Sequence, residues 1–74
     1  MKKFYYIVRP QLENVGDFKE TNGWKDISVY KIEEDELVNI VSFTTELEND
    51  SRKDILEFID RDIMVDETIK LVEL

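Results

Sequence analysis

Apolar residues change their spacing along this chain, and each spacing predicts an element. Phe4-Tyr5-Tyr6-Ile7-Val8 is apolar on both alternating faces and rich in aromatic and β-branched side chains, which predicts a strand that is central or covered on both sides. Pro10 cannot donate to a ladder and marks its expected end. Residues 27–32 and 37–43 read as two more strands, with Glu33 to Glu36 between them. Four-residue hairpin loops are common, so the two pair antiparallel. Ile27 and Val29 fall on one face by alternation, and Leu37, Val41 and Phe43 on another. Beyond Asn49-Asp50-Ser51, which supplies N-cap chemistry, the period changes to that of a helix. Ile55, Leu56, Phe58, Ile59 and Ile63 fall within an arc of roughly 160° at 100° per residue. Ser51 with Asp54 resembles a capping box, and Thr45 with Glu48 is an earlier competitor. The helix is predicted over residues 51–64. Residues 69–73 read as a last short strand, with a helical tail as the alternative.

Residues 11–26 fit no single period. Leu12, Val15 and Phe18 match one side of a short helical turn, against which Gly16 counts. Thr21-Asn22-Gly23 is a turn signal, followed directly by Trp24. A connection this long in a small domain is expected to be functional or to carry structure of its own. The chain, residues 1–74, is read as one small α+β domain in β-β-β-α-β order. It has a mostly antiparallel sheet of three to four strands, one amphipathic helix packed on one face, and the other face partly open.

Charge sharpens this picture. Residues 32–74 carry fourteen acidic and four basic side chains, a local sum of −10, whereas residues 1–31 sum to +2. The whole chain stands at −8, and charged residues make up 38% of it, well above the ~25% of an average domain. There is no His and no Cys, which excludes a disulfide and a Cys or His zinc site. No apolar run approaches the ~20 residues of a membrane span. The apolar stretch after Lys2-Lys3 ends in five residues, too short for the ~7–15 of a signal-peptide core. A cytoplasmic location is expected.

A strong negative field without catalytic equipment points to recognition of a basic partner. The candidate contacts are Glu33, Glu34, Asp35 and Glu36 between the paired strands, the helix-surface row Asp50, Asp54 and Glu57, and Trp24 beside its turn. The acidic run lacks the spacing of a calcium loop, and no metal or cofactor is expected. Paired carboxylates can run glycoside hydrolysis, but without a His base or a Gly-rich phosphate loop an enzyme is not expected. The aromatics lack the basic groove of a nucleic-acid-binding module, so direct nucleic-acid binding is not expected either. The helix repeats a carboxylate every ~6 Å, too sparse alone to imitate phosphates every ~3.4 Å along a DNA strand. Helix and hairpin tip together approach that density if they lie on one side. In size and charge the chain resembles small acidic phage or mobile-element proteins that inhibit host nucleic-acid enzymes, anti-CRISPR proteins and other DNA mimics among them. That resemblance implies a non-enzymatic inhibitor occupying the positive channel of a host nuclease or defence complex. The rival reading is a structural or regulatory module that self-associates, as a homodimer for example, through an uncovered sheet face or edge, with its charge serving solubility.

Overall fold

The computed structural model describes residues 2–62 and 69–74. Four strands and one helix follow in the order β1 (Lys2–Val15), β2 (Phe18–Glu33), β3 (Glu36–Glu46), α1 (Ser51–Asp62) and β4 (Ile69–Glu73). The sheet runs β3-β2-β1-β4. The first three strands pair antiparallel, and β4 lies parallel to β1. The α+β class and the β-β-β-α-β order are those expected from the pattern. The sheet is mixed because the chain crosses it through α1 between β3 and β4, and a crossover of this kind delivers a parallel strand.

One face of the sheet carries the core. Phe4 and Tyr6 of β1, Ile27 and Val29 of β2 and Leu71 of β4 are buried together with Ile55 and Ile59 of α1. Register makes this possible: Tyr6 stands opposite Val29, and Phe4 opposite Leu71, so all five strand side chains leave the sheet on one side. Phe58 stacks on Phe43 with ring centroids 5.4 Å apart and planes within 2°. Arg52 Nη1 donates to the Leu71 carbonyl at 3.3 Å and ties the helix to the edge strand. Ile63 and the expected helix end at Met64 lie outside the described residues.

Three features depart from the reading of the pattern. First, β1 does not end at Pro10, and residues 11–26 hold no helical turn. β1 and β2 continue as a two-stranded arm beyond the four-stranded body, with pairing interrupted between Pro10 and Leu12 and resumed at Leu12 opposite Thr21. The molecule is accordingly elongated, 48 Å by 25 Å by 16 Å. Pro10 is tolerated for a directional reason. The Leu74 N–H donates to the Tyr6 carbonyl at 2.9 Å, so even-numbered residues of β1 aim their main-chain groups toward β4. The last β4 residue paired with β1 is Glu73, opposite Tyr6, so the donor that Pro10 lacks would face a side without a neighbouring strand among the described residues. The arm closes through Gly16-Asp17, where Gly16 has φ +63°, the positive angle that a type II′ turn requires at its first central position.

Second, the connection between β2 and β3 has two residues, not four. Glu33 pairs with Glu36. Glu34 and Asp35 both have positive φ, 51° and 66°, the signature of a type I′ turn built without glycine. Third, Val29 pairs with Val41 while Tyr30 pairs with Asn39, which leaves Ile40 as an extra residue in β3. This bulge reverses the alternation. Val41 and Phe43 stay on the core side, and Leu37, expected beside them, emerges on the open face opposite Ile32. The Val29 carbonyl, displaced from regular pairing, accepts instead from Asn39 Nδ2 at 3.1 Å.

The helix face assignment has a direct check. Ile59 is 1% exposed, so Ile59→Ala should destabilise the fold by about 2–5 kcal/mol in a urea melt. A loss under about half a kcal/mol would show that α1 packs by another face.

Candidate partner-binding site

The residues between β3 and α1 are held by a set of polar contacts. Asp50 is the N-cap of α1: its Oδ1 accepts from the amides of Arg52 at 3.0 Å and Lys53 at 3.4 Å, as short acidic caps do. The capping chemistry therefore sits one residue before the Ser51 start suggested by the Ser51–Asp54 box. Asp54 turns inward and accepts from Thr45 Oγ1 at 2.9 Å, and Thr45 accepts from Asn49 Nδ2 at 2.9 Å. Lys25, only 4% exposed, lies at the end of the core face. Its ammonium donates to the carbonyls of Leu47, at 3.2 Å, and Asn49. A buried ammonium is tolerated only with such partners. The Leu47 amide donates in turn to the Gly23 carbonyl at 2.8 Å. The loop is thus fastened to the base of the arm from two directions.

Trp24 stands at that base, 45% exposed, directly opposite Glu46. Its amide donates to Asn22 Oδ1 at 3.0 Å, so the Asn22-Gly23 signal shapes an irregularity inside β2 and not a reversal of the chain. Thr21, Gly23, Trp24, Glu46, Leu47 and Glu48 enclose an open notch of about 520 Å³. Beside it runs a side-chain relay. Asn22 Nδ2 donates to Gln11 Oε1 at 3.0 Å, Gln11 Nε2 donates to Asp26 Oδ1 at 2.8 Å, and Thr44 Oγ1 donates to the same oxygen at 2.8 Å. The Gln11 donor, followed by that of Thr44, holds the Asp26 carboxyl below its ordinary pKa of 3.8.

The fold separates the acidic residues singled out in the sequence. Glu33, Glu34, Asp35 and Glu36 are exposed at one end of β3. Asp50 lies beyond the other end; between Glu36 and Glu46 the ladder advances nine steps of β2, from Glu33 to Trp24, about 30 Å at strand rise. Of the helix row, Asp50 and Glu57 are exposed, whereas Asp54 is half-buried and bonded to Thr45. Tip and helix row do not merge into one strip. What gathers instead is a second acidic group near Asp50, formed with Glu46 and Glu48, which the sequence reading passed over. The signal was there, two acids within the competing Thr45-x-x-Glu48 box, but it reads equally as a solvated loop. Among the described residues one ion pair forms, Lys31 to Glu33 at 3.1 Å, and no group of three or more acidic side chains converges as a metal site. No helix among them is long and apolar enough to cross a membrane.

Comparison with protein-family models, curated proteins and solved structures finds no match to this chain.

Two outcomes test that geometry. Because the folded pKa of Asp26 is depressed, its contribution to stability is present above the unfolded value and is lost as pH falls through the folded one. An NMR titration should give a midpoint below 3.8, and Gln11→Ala should move it back toward 3.8. Lys25→Met keeps the apolar stem but strips two carbonyls of their donor. It should cost about 1–3 kcal/mol and speed hydrogen exchange at the Leu47 amide. An unchanged melt and exchange rate would show that the ammonium does not hold the loop.

Proposed function

We propose that this protein is a non-enzymatic acidic binder that occupies the basic nucleic-acid-binding site of another protein, such as a host nuclease or defence complex, in the cytoplasm. The observation that carries this reading is the placement of exposed carboxylates at both ends of β3. Glu33, Glu34, Asp35 and Glu36 mark one end, and Glu46, Glu48 and Asp50 the other. The strand separates them by about 30 Å, of the order of one turn of B-form duplex, about 34–36 Å. A surface that grips phosphates one helical turn apart would meet two acidic groups at similar spacing. The two groups flank one strand, held by the Glu34-Asp35 turn at one end and by the Lys25 and Leu47 contacts at the other, so little ordering is needed on binding.

A second reading has its own support. The sheet face opposite α1 carries the half-buried Tyr5, Ile7, Tyr30 and Val72 and the exposed Ile32 and Leu37, a surface suited to a second copy. Like charge opposes that association, since each copy carries −8.

Association kinetics with a basic protein captured from host lysate separate the two. Under the proposal, duplex DNA competes with the protein for that partner, and the protein itself shifts no DNA in a gel. Glu34→Lys with Asp35→Lys should slow association and flatten its salt dependence, because exposed charges act mainly on the on-rate. Thermal stability should change by less than about 1 kcal/mol per charge. Simultaneous binding of DNA and protein to the partner, with identical rates for the charge-reversed form, would eliminate the proposal. Salt-promoted dimerisation in sedimentation would then favour the self-associating module.

A further inference from the structure

We infer that the Trp24 notch is a receptor for an arginine side chain of a basic partner. The inference rests on the proposal that the partner is basic, and adds where and how one of its residues is held.

Three observations carry it. The notch is concave, about 520 Å³, enough for a guanidinium and its stem. One wall is aromatic and accessible, since Trp24 remains 45% exposed beside a turn whose geometry Asn22 fixes. The facing groups are carboxylates, Glu46 from the strand position opposite Trp24 and Glu48 from the following loop. Opposed strand residues hold their Cβ atoms about 4.5–5.5 Å apart, so a cation stacked on the indole lies within reach of the Glu46 carboxylate. Arginine fits this pairing better than lysine: its planar guanidinium stacks on an aromatic face while its edge donates in a fork to a carboxylate.

The notch is also built in advance. Lys25 and the Leu47 amide fasten the loop that bears Glu48, and the Asn22 cap orients the main chain at Trp24. Other candidates lack such an argument. The opening lined by Lys2, Lys3, Phe4, Lys31 and Ile40 has one of its lysines already paired, Lys31 with Glu33. The exposed Leu12, Val15 and Phe18 of the arm have nothing around them that specifies an occupant.

The test uses the full chain and two capped hexapeptides, Gly-Ser-Arg-Arg-Ser-Gly and its Lys-Lys counterpart. Trp24 is the sole tryptophan, so its fluorescence and indole N–H resonance report on the notch alone. The arginine peptide should perturb both signals and shift the Glu46 and Glu48 amides. It should bind about two- to fivefold more tightly than the lysine peptide, because only the guanidinium stacks flat on the indole while donating in a fork to a carboxylate, a gain of the order of one exposed cation–π contact. Trp24→Leu should remove that preference and Trp24→Phe should retain part of it. Glu46→Gln with Glu48→Gln, both at exposed positions, should weaken the arginine peptide while leaving the melt unchanged. Perturbation confined to residues 33–36, with Trp24 silent, would overturn the notch while leaving the basic-partner reading standing. Equal binding of both peptides that Trp24→Leu does not alter would also overturn it. No binding of either peptide anywhere on the chain would overturn both readings.

Discussion

Ile55 and Ile59 fill the space between α1 and the sheet, and most of the architecture follows from their need for a flat apolar surface. Two adjacent helical turns can cover only two or three strands, so the buried layer is limited to Phe4, Tyr6, Ile27, Val29 and Leu71. A chain near this length buries only about 60% of its unfolded surface. Every strand position that reaches the helix is therefore needed, and the rest of the sheet has to be stable by other means. The polar devices appear where that layer ends. Lys25 closes its upper margin with two carbonyls, the Asn39 amide satisfies the Val29 carbonyl at the bulge, and Arg52 bonds the β4 backbone.

The elements that were legible in the sequence are those whose period is set by burial against one partner. The spacing of Ile55, Phe58 and Ile59 and the aromatic run of β1 belong to this class: α1 begins at the expected Ser51, and β1 contains the expected run although it continues past Pro10. The arm was not legible. Leu12, Val15 and Phe18 recur every third residue, a spacing compatible with a helical turn, and on a ribbon exposed on both faces no burial enforces alternation. The Glu34-Asp35 turn was hidden for another reason. Left-handed backbone is signalled most strongly by glycine or asparagine, and here it is adopted by Glu34, which rarely enters it, together with Asp35, which does so more readily. The bulge at Ile40 left no trace because Val38, Ile40 and Val41 are all apolar, so either register looks the same on paper. Trp24 was recognisable as exposed from its position next to Asn22-Gly23. Asp54 was not recognisable as inward-facing, because helical spacing alone does not reveal that Thr45 stands within hydrogen-bond reach.

Charge and backbone geometry converge on β3. This strand is an edge, and an edge with free main-chain groups invites unplanned pairing. Glu36 and Glu46 bracket it, and the bulge at Ile40 interrupts its ladder. The carboxylates at its two ends thus discourage strand addition. This explains how eleven residues of edge strand are compatible with a sheet whose face opposite α1 is covered by no element among the described residues.

The parallel register between β1 and β4 has a consequence for the order in which the molecule assembles. The hairpins closed at Gly16-Asp17 and Glu34-Asp35 join neighbours in sequence, and such contacts form early because little loop entropy is lost. Lys2 pairs with Ile69, a contact that encloses nearly the whole chain and belongs at the end of folding. Until it forms, β1 presents a bare aromatic flank at Phe4, Tyr5 and Tyr6. During synthesis β1 leaves the ribosome before β4, so the newborn chain passes through an interval in which this aromatic edge has no covering strand.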